Sequence, residues 1–262
     1  MLPPGFPCPR AAFLIPTALI LLTLASIPAA AQTQSPEASP FFARKNTFSV
    51  FSAYSNDSSH ILLGNAENRK LLDFGVSYSR RLFVDRVVNW QYNGEFLPVA
   101  LESDPQAMET IHQTEPTAET ITFNEGNEAV TCTPQTSSFS FVNPNGVTYA
   151  GTETFFCSGR QWNIGEAISP IGFQWNFLPR RRLQPFFIGH GGYMYSTKPI
   201  PILEAGSFNF TFDLGAGFEL FQSKGRSIRA EYRYHHISNH GTANENPGID
   251  NGLFQVTYSF GR

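Results

Sequence analysis

Apolar and polar residues alternate along most of this chain with a period of two. In the longest run, Phe208, Phe210, Phe212, Leu214, Ala216, Phe218 and Leu220 interleave with Asn209, Thr211, Asp213, Gly215, Gly217 and Glu219. Successive side chains of an extended strand point to opposite faces, so the run predicts one long strand with an apolar and a polar side. Equivalent patterns pass through Leu72 to Leu82, Val88 to Phe96, Ile171 to Phe177, Ile228 to Tyr234 and Phe254 to Phe260. Segments near 46–55 and 185–195 alternate less cleanly and bring the expected strand count to eight.

The composition of the two faces decides between water and lipid. The apolar faces are rich in aromatics, whereas the opposite faces carry Asp73, Arg81, Glu95, Asp213, Glu219, Arg229, Glu231 and Arg233 in mid-strand. A soluble sandwich would bury the first set and expose the second. An eight-stranded antiparallel up-and-down transmembrane β-barrel of the outer-membrane type does the reverse, with aromatics in the acyl region and paired charges filling a narrow lumen. The connections agree: short turns at 84–87, 179–184 and 222–225 alternate with long stretches at 56–69, 101–165, 197–206 and 239–249, as periplasmic turns alternate with extracellular loops. A soluble lipocalin-like barrel or sandwich stays open at this point, because alternation does not reveal which face is wet.

The N-terminus bears on the compartment. Arg10, the apolar stretch 11–27 and Ala29-Ala30-Ala31 have the layout of a secretory signal peptide, with cleavage expected before Gln32. No other apolar run approaches the roughly 20 residues of a spanning helix, so a membrane-embedded mature chain must be a barrel. Residues 32–45 are rich in Ser, Pro, Gln and Ala and predict a flexible lead-in to a barrel domain at 46–262. The net charge of −3 and the lack of a basic patch argue against a nucleic-acid partner, and Arg180, Arg181 and Arg182 suit a solvated turn.

Once Cys8 leaves with the signal, Cys132 and Cys157 remain, an even count in an oxidising compartment that predicts a disulfide rather than a metal site. Both fall in the 101–165 insert, expected to be a folded extracellular cap. Its Asp104, Glu109, Glu115, Glu119 and Glu125 read as a solvated acidic loop, since they lack the spacing of a calcium loop.

Candidate chemistry sits in the last hairpin. Stepping by two from Tyr232 and Tyr234 brings His236 and Ser238 to the lipid-facing side, and Asp250 shares the parity of Phe254, Val256 and Tyr258. For a hairpin symmetric about Ala243, His236 lies opposite Asp250 with Cβ atoms about 4.5–5.5 Å apart. Ser238 is then roughly 6.5–7 Å along the strand, placing the imidazole within reach of both. A serine needs a base, and the base a carboxylate to fix its tautomer, so the expected roles are Ser238 nucleophile, His236 general base and Asp250 orienting acid. Two alternatives stand beside this: an interfacial polar girdle without chemistry, and a zinc site of His235, His236 and His240.

The stretch His236-Ile237-Ser238-Asn239, followed by Asn246-Pro247-Gly248 and Asp250, resembles the signature of the outer-membrane lipid A 3-O-deacylases, the PagL or acyloxyacyl-hydrolase-like family. The resemblance implies hydrolysis of the 3-O-linked acyl ester of lipid A without a metal cofactor, with lipid A or lipopolysaccharide as substrate and outer-membrane lipids as surroundings. It also implies that Asn239 and Asn246 shape the loop and stabilise the oxyanion. The chain departs from familiar members in carrying Asp250 in place of Glu, in its long 101–165 insert, and in ending on Phe260-Gly261-Arg262. A homodimer is left open, as is a non-catalytic outer-membrane barrel of structural or adhesive role.

Overall fold

The computed structural model describes residues 41–262 apart from 56 and 128. The expected signal peptide and the lead-in as far as residue 40 lie outside them. Ten antiparallel strands follow one another: β1 (Asn46–Ser55), β2 (Lys70–Val84), β3 (Val88–Glu115), β4 (Glu119–Gly126), β5 (Gln135–Val142), β6 (Thr148–Phe177), β7 (Leu183–Ser196), β8 (Phe208–Ser223), β9 (Arg226–Ser238) and β10 (Ile249–Gly261). Each barrel strand pairs with its neighbour, β10 returns to β1, and β3 pairs with β6. Eight strands (β1–β3 and β6–β10) therefore form a closed ring, which removes unpaired edges from the lipid-facing wall.

Parity along the wall follows the alternation in the sequence. Phe74, Leu214, Phe218, Tyr232 and Phe254 are exposed on the outside, while Asp73, Glu95, Asp213, Arg229 and Arg233 are buried within. The lumenal charges pair as expected: Arg233 makes two 2.9 Å bonds to Glu95 and one of 2.8 Å to Glu231, and Arg44 reaches Glu219 at 2.6 Å. Paired charges do not fill the whole interior, however. Its extracellular end is an apolar plug of Leu71, Met194, Ile200, Ile237, Ile249 and Leu253. Ile200 belongs to the loop between β7 and β8, which folds over the mouth and excludes water from that end.

At the opposite end the short turns appear where expected. Arg180, Arg181 and Arg182 are exposed, and the guanidinium groups of Arg180 and Arg182 lie over Phe41 and Phe42 at 5.3 and 5.9 Å. The end of the lead-in is thus anchored rather than flexible: Phe42 N–H donates to Pro179 O, and Arg44 projects into the lumen.

The 101–165 insert is where the sequence reading departs most from the structure. The folded segment is built of strands that the alternation did not predict: β3 and β6 run on past the rim as one ladder, from Leu101 opposite Ile164 to Glu115 opposite Ala150, with β4 and β5 added at the sides. Cys132 and Cys157 are joined by a disulfide, as expected. The solvated acidic loop is corrected at its base: Glu102 and Asp104 are fully buried beside Arg69, whose Nε lies 3.2 Å from Asp104 Oδ1. Arg69 also donates to the carbonyls of Glu67, Ala129, Val130 and Pro201, fastening the β1–β2 loop, the insert and the β7–β8 loop to one another. These groups sit at the extracellular end of β2, where Leu71 pairs with Glu102, above the spanning part of the wall. Burial, together with Asp104 alongside, pushes the Glu102 carboxyl well above the ordinary carboxylate range.

Candidate functional site

The hairpin register is the one that symmetry about Ala243 dictates. Asp250 pairs with His236, Asn251 with His235 and Ile249 with Ile237. His236 and Asp250 both point out of the barrel, and His236 Nδ1 lies 2.6 Å from Asp250 Oδ1. A carboxylate only accepts, so Nδ1 carries the proton and the Nε2 lone pair is left available as a base. Gly248 completes the fit: at φ +63° it adopts the left-handed region open to glycine, and a Cβ there would stand 3.2 Å from His236 Cε1.

Asp250 is fully buried although it faces outward, because the β1–β2 loop folds over it. The backbone N–H groups of Leu62 and Leu63 donate to Oδ2 at 2.7 and 2.8 Å, and Tyr234 Oη–H donates to Oδ1 at 2.8 Å. With His236 added, four donors converge on one carboxylate and fix its orientation. Tyr234 was visible in the sequence only as a member of the aromatic stripe. The Leu62 and Leu63 amides gave no signal there, since backbone donors in a loop follow no residue pattern.

Ser238 shares the outer side with His236, but no hydrogen bond joins the two. Ser238 Oγ donates instead to Asn246 Oδ1 at 3.0 Å and accepts from His240 N–H at 3.1 Å. The imidazole thus contacts Asp250 directly, while Ser238 is hydrogen-bonded within its own loop. One same-face step along a strand is longer than a hydrogen bond, and a side-chain rotation has to close it. Asn246 Oδ1 also accepts from Asn239 N–H at 3.1 Å.

Asn239 is committed to the loop. Its Nδ2 donates to Ala205 O and Glu245 O, both at 2.6 Å, and its Oδ1 accepts from Gly241 N–H at 2.8 Å. That accounts for the loop-shaping role expected of it, and leaves its side chain no free donor for an oxyanion.

A groove of about 500 Å³ opens beside these groups, lined by Leu63, Gly191, Gly192, Phe210, Phe212, His236, Ser238 and His240 among others. His236 and Ser238 thus border an apolar trough on the outer wall. The three histidines of the zinc alternative do not converge: His235 faces the lumenal cavity with Arg233 and Ile237, whereas His236 and His240 face the groove. Among the described residues, Glu95, His190 and Asp213 are the group whose spacing could hold a metal. Arg233 already bonds Glu95 and lies 3.5 Å from Asp213, so a guanidinium supplies the positive charge there.

Comparison with known proteins places these features in context. The model of the lipid A 3-O-deacylase (PagL) family matches residues 131–259, a span that includes His236, Ser238 and Asp250. Among solved structures, the outer membrane enzyme PagL is similar at a TM-score of 0.44 and 14% identity, covering 82% of this chain and 99% of that one. Neisserial surface protein A is similar at 0.41 and 9%, covering 83% and 97%. The attachment invasion locus protein of Yersinia pestis follows at 0.35 and 11%, covering 83% and 99%. No curated protein matches significantly.

Proposed function

We propose that the chain is a member of the lipid A 3-O-deacylase family, whose model matches residues 131–259, and that it removes the 3-O-linked acyl chain of lipid A with Ser238 as nucleophile, His236 as general base and Asp250 as orienting acid. It is an outer-membrane ester hydrolase. The observation that carries the residue assignment is the 2.6 Å contact between His236 Nδ1 and Asp250 Oδ1, made on the outside of the wall, where an acyl ester can arrive sideways from the leaflet.

Catalysis begins when Ser238 turns from Asn246 toward His236 Nε2. Oγ attacks the acyl carbonyl carbon as its proton passes to Nε2, and the carbonyl oxygen takes the negative charge. Asn246 Oδ1 keeps its bond from Asn239 N–H after that rotation, and the Nδ2 group of the same amide is the donor for the oxyanion. Collapse breaks the bond to the sugar 3-oxygen, which takes the proton from Nε2. The lipid A with a free 3-hydroxyl departs; a water then gives its proton to Nε2 and attacks the acyl-serine carbonyl, and Ser238 Oγ leaves with that proton as the 3-hydroxy fatty acid is released. Asp250 stabilises the imidazolium in both halves.

Residues 1–31 act in this account as the export signal, and the strands beyond the rim as an extracellular cap. Mass spectrometry of lipid A from cells making the wild type should show loss of one 3-hydroxyacyl chain, and cells making Ser238→Ala should not. The same loss in the Ser238→Ala cells would remove the serine from the mechanism.

A further inference from the structure

The loop that covers Asp250 exposes three consecutive apolar side chains: Ile61 at 45%, Leu62 at 73% and Leu63 at 60%. We propose that residues 60–64 form a lipid-inserting finger, with Ile61, Leu62 and Leu63 seated among acyl chains of the outer leaflet while the Leu62 and Leu63 amides hold Asp250.

The side of the wall follows from the hydrogen bonds. Asp250 has the parity of Phe254 and Val256, both exposed on the lipid-facing side, so the amides that reach its Oδ2 lie outside the barrel. The finger rises from a fixed base. Bridges tie Ser58 to Asn251 and Ala66 to Ile249, Ser59 N–H donates to Asp250 O, and His60 Nδ1 contacts Gly64 O at 2.9 Å across the neck. Close packing presses it onto the wall, since a Cβ on Gly64 would come within 2.6 Å of Asp250 N.

The occupant follows from continuity. Leu63 lines the groove together with Phe210 and Phe212, so the exposed leucines prolong the apolar belt that meets lipid. The neighbouring β9–β10 loop contrasts with it, exposing Thr242, Asn244 and Glu245, as a water-facing segment does. Three adjacent apolar side chains held away from the core by a rigid base gain free energy on entering an acyl phase. Because the same residues donate to Asp250, contact with lipid also steadies the carboxylate that orients His236. That functional consequence rests on the esterase assignment; the insertion itself does not.

Two measurements separate these claims. A bimane on Leu62→Cys, in a Cys8→Ser background with Cys132 and Cys157 disulfide-bonded, is followed in phosphatidylcholine vesicles. Quenching by nitroxides on the acyl chains and protection from aqueous iodide is expected; iodide quenching without acyl quenching overturns the finger. The second compares Ile61→Ser/Leu62→Ser with the conservative Ile61→Leu/Leu62→Ile on lipid A in vesicles and on p-nitrophenyl acetate. The lipid-to-soluble activity ratio should fall about ten-fold or more in the serine pair, since burying one leucine is worth at least that factor, and hold in the conservative pair. An unchanged ratio overturns the coupling. Wild-type protein inactive on both esters would instead sink the esterase assignment and leave the quenching result intact.

Discussion

Two histidine–aspartate pairs occupy this barrel, and they differ in what the second ring nitrogen meets. In the lumen, His190 Nδ1 lies 2.9 Å from Asp213 Oδ1, while Nε2 meets Asn93 Oδ1 at 3.0 Å and Glu95 at 3.7 Å, with the Arg233 guanidinium alongside. Every polar position of that imidazole is occupied and no substrate can reach it. On the outer wall the His236–Asp250 pair is formed in the same way, but the ring borders an apolar groove and a serine stands one step along the strand. The same two residue types thus serve as internal structure on one face and as candidate chemistry on the other. The lumenal pair joins β7 to β8 and the outer pair β9 to β10, and strand parity sets which side each faces.

The sharpest way to break the comparison is to remove each side in turn. His236→Ala and Ser238→Ala should each lower lipid A deacylation roughly a thousand-fold or more while the barrel stays folded, since members of such a unit fail together. Asp250→Asn should cost roughly a hundred-fold or more by supplying the wrong tautomer partner. Rates on purified lipid A, read beside heat-shifted gel mobility of the barrel, check both. On the lumenal side the pattern should invert: His190→Ala removes the 2.9 Å partner of Asp213, leaving it the Arg233 guanidinium at 3.5 Å, and should cost about 1–3 kcal/mol of stability. Denaturant titration in detergent measures that loss, with turnover of the surviving folded fraction kept near wild type.

A smaller effect sharpens the picture of the groove. Open space surrounds a Cβ built on Gly191, so Gly191→Phe should fold and fill the trough. Hydrolysis of long 3-hydroxyacyl esters should drop about ten-fold relative to short ones, the scale set by a few methylenes lost from an apolar pocket. Chain-length profiles report it. The smallest effect concerns the base of the cap. With its folded value raised by burial and Asp104, Glu102 contributes stability in full below its unfolded value near pH 4 and loses it as pH rises through the folded value. Thermal unfolding across that window should show a decline that Glu102→Gln flattens.

Much of the barrel was legible in the sequence because one face of each spanning strand meets lipid and the other meets charges, which forces strict alternation. The register of His236 against Asp250 followed from parity and hairpin symmetry. Strands β4 and β5 were not legible, because both faces of the projecting sheet are accessible: β5 carries Thr136, Ser138 and Ser140 on one side and Gln135, Ser137 and Phe139 on the other. Without a buried face no apolar period is imposed. The buried Asp104 looked like a solvated acid since its partner, Arg69, is distant in sequence. The Leu62 and Leu63 amides that hold Asp250 were invisible for a related reason, as their contribution is backbone and their side chains read as an ordinary loop.

A fluorophosphonate with a long alkyl chain, followed by peptide mass mapping, tests the central claim most directly, because it reacts only with a serine whose base is in place. The wild type should carry one phosphonyl group on Ser238, and His236→Ala should carry none. Wild-type protein that deacylates lipid A while Ser238 stays unlabelled, or labelling of Ser238 that persists in His236→Ala, would contradict the account.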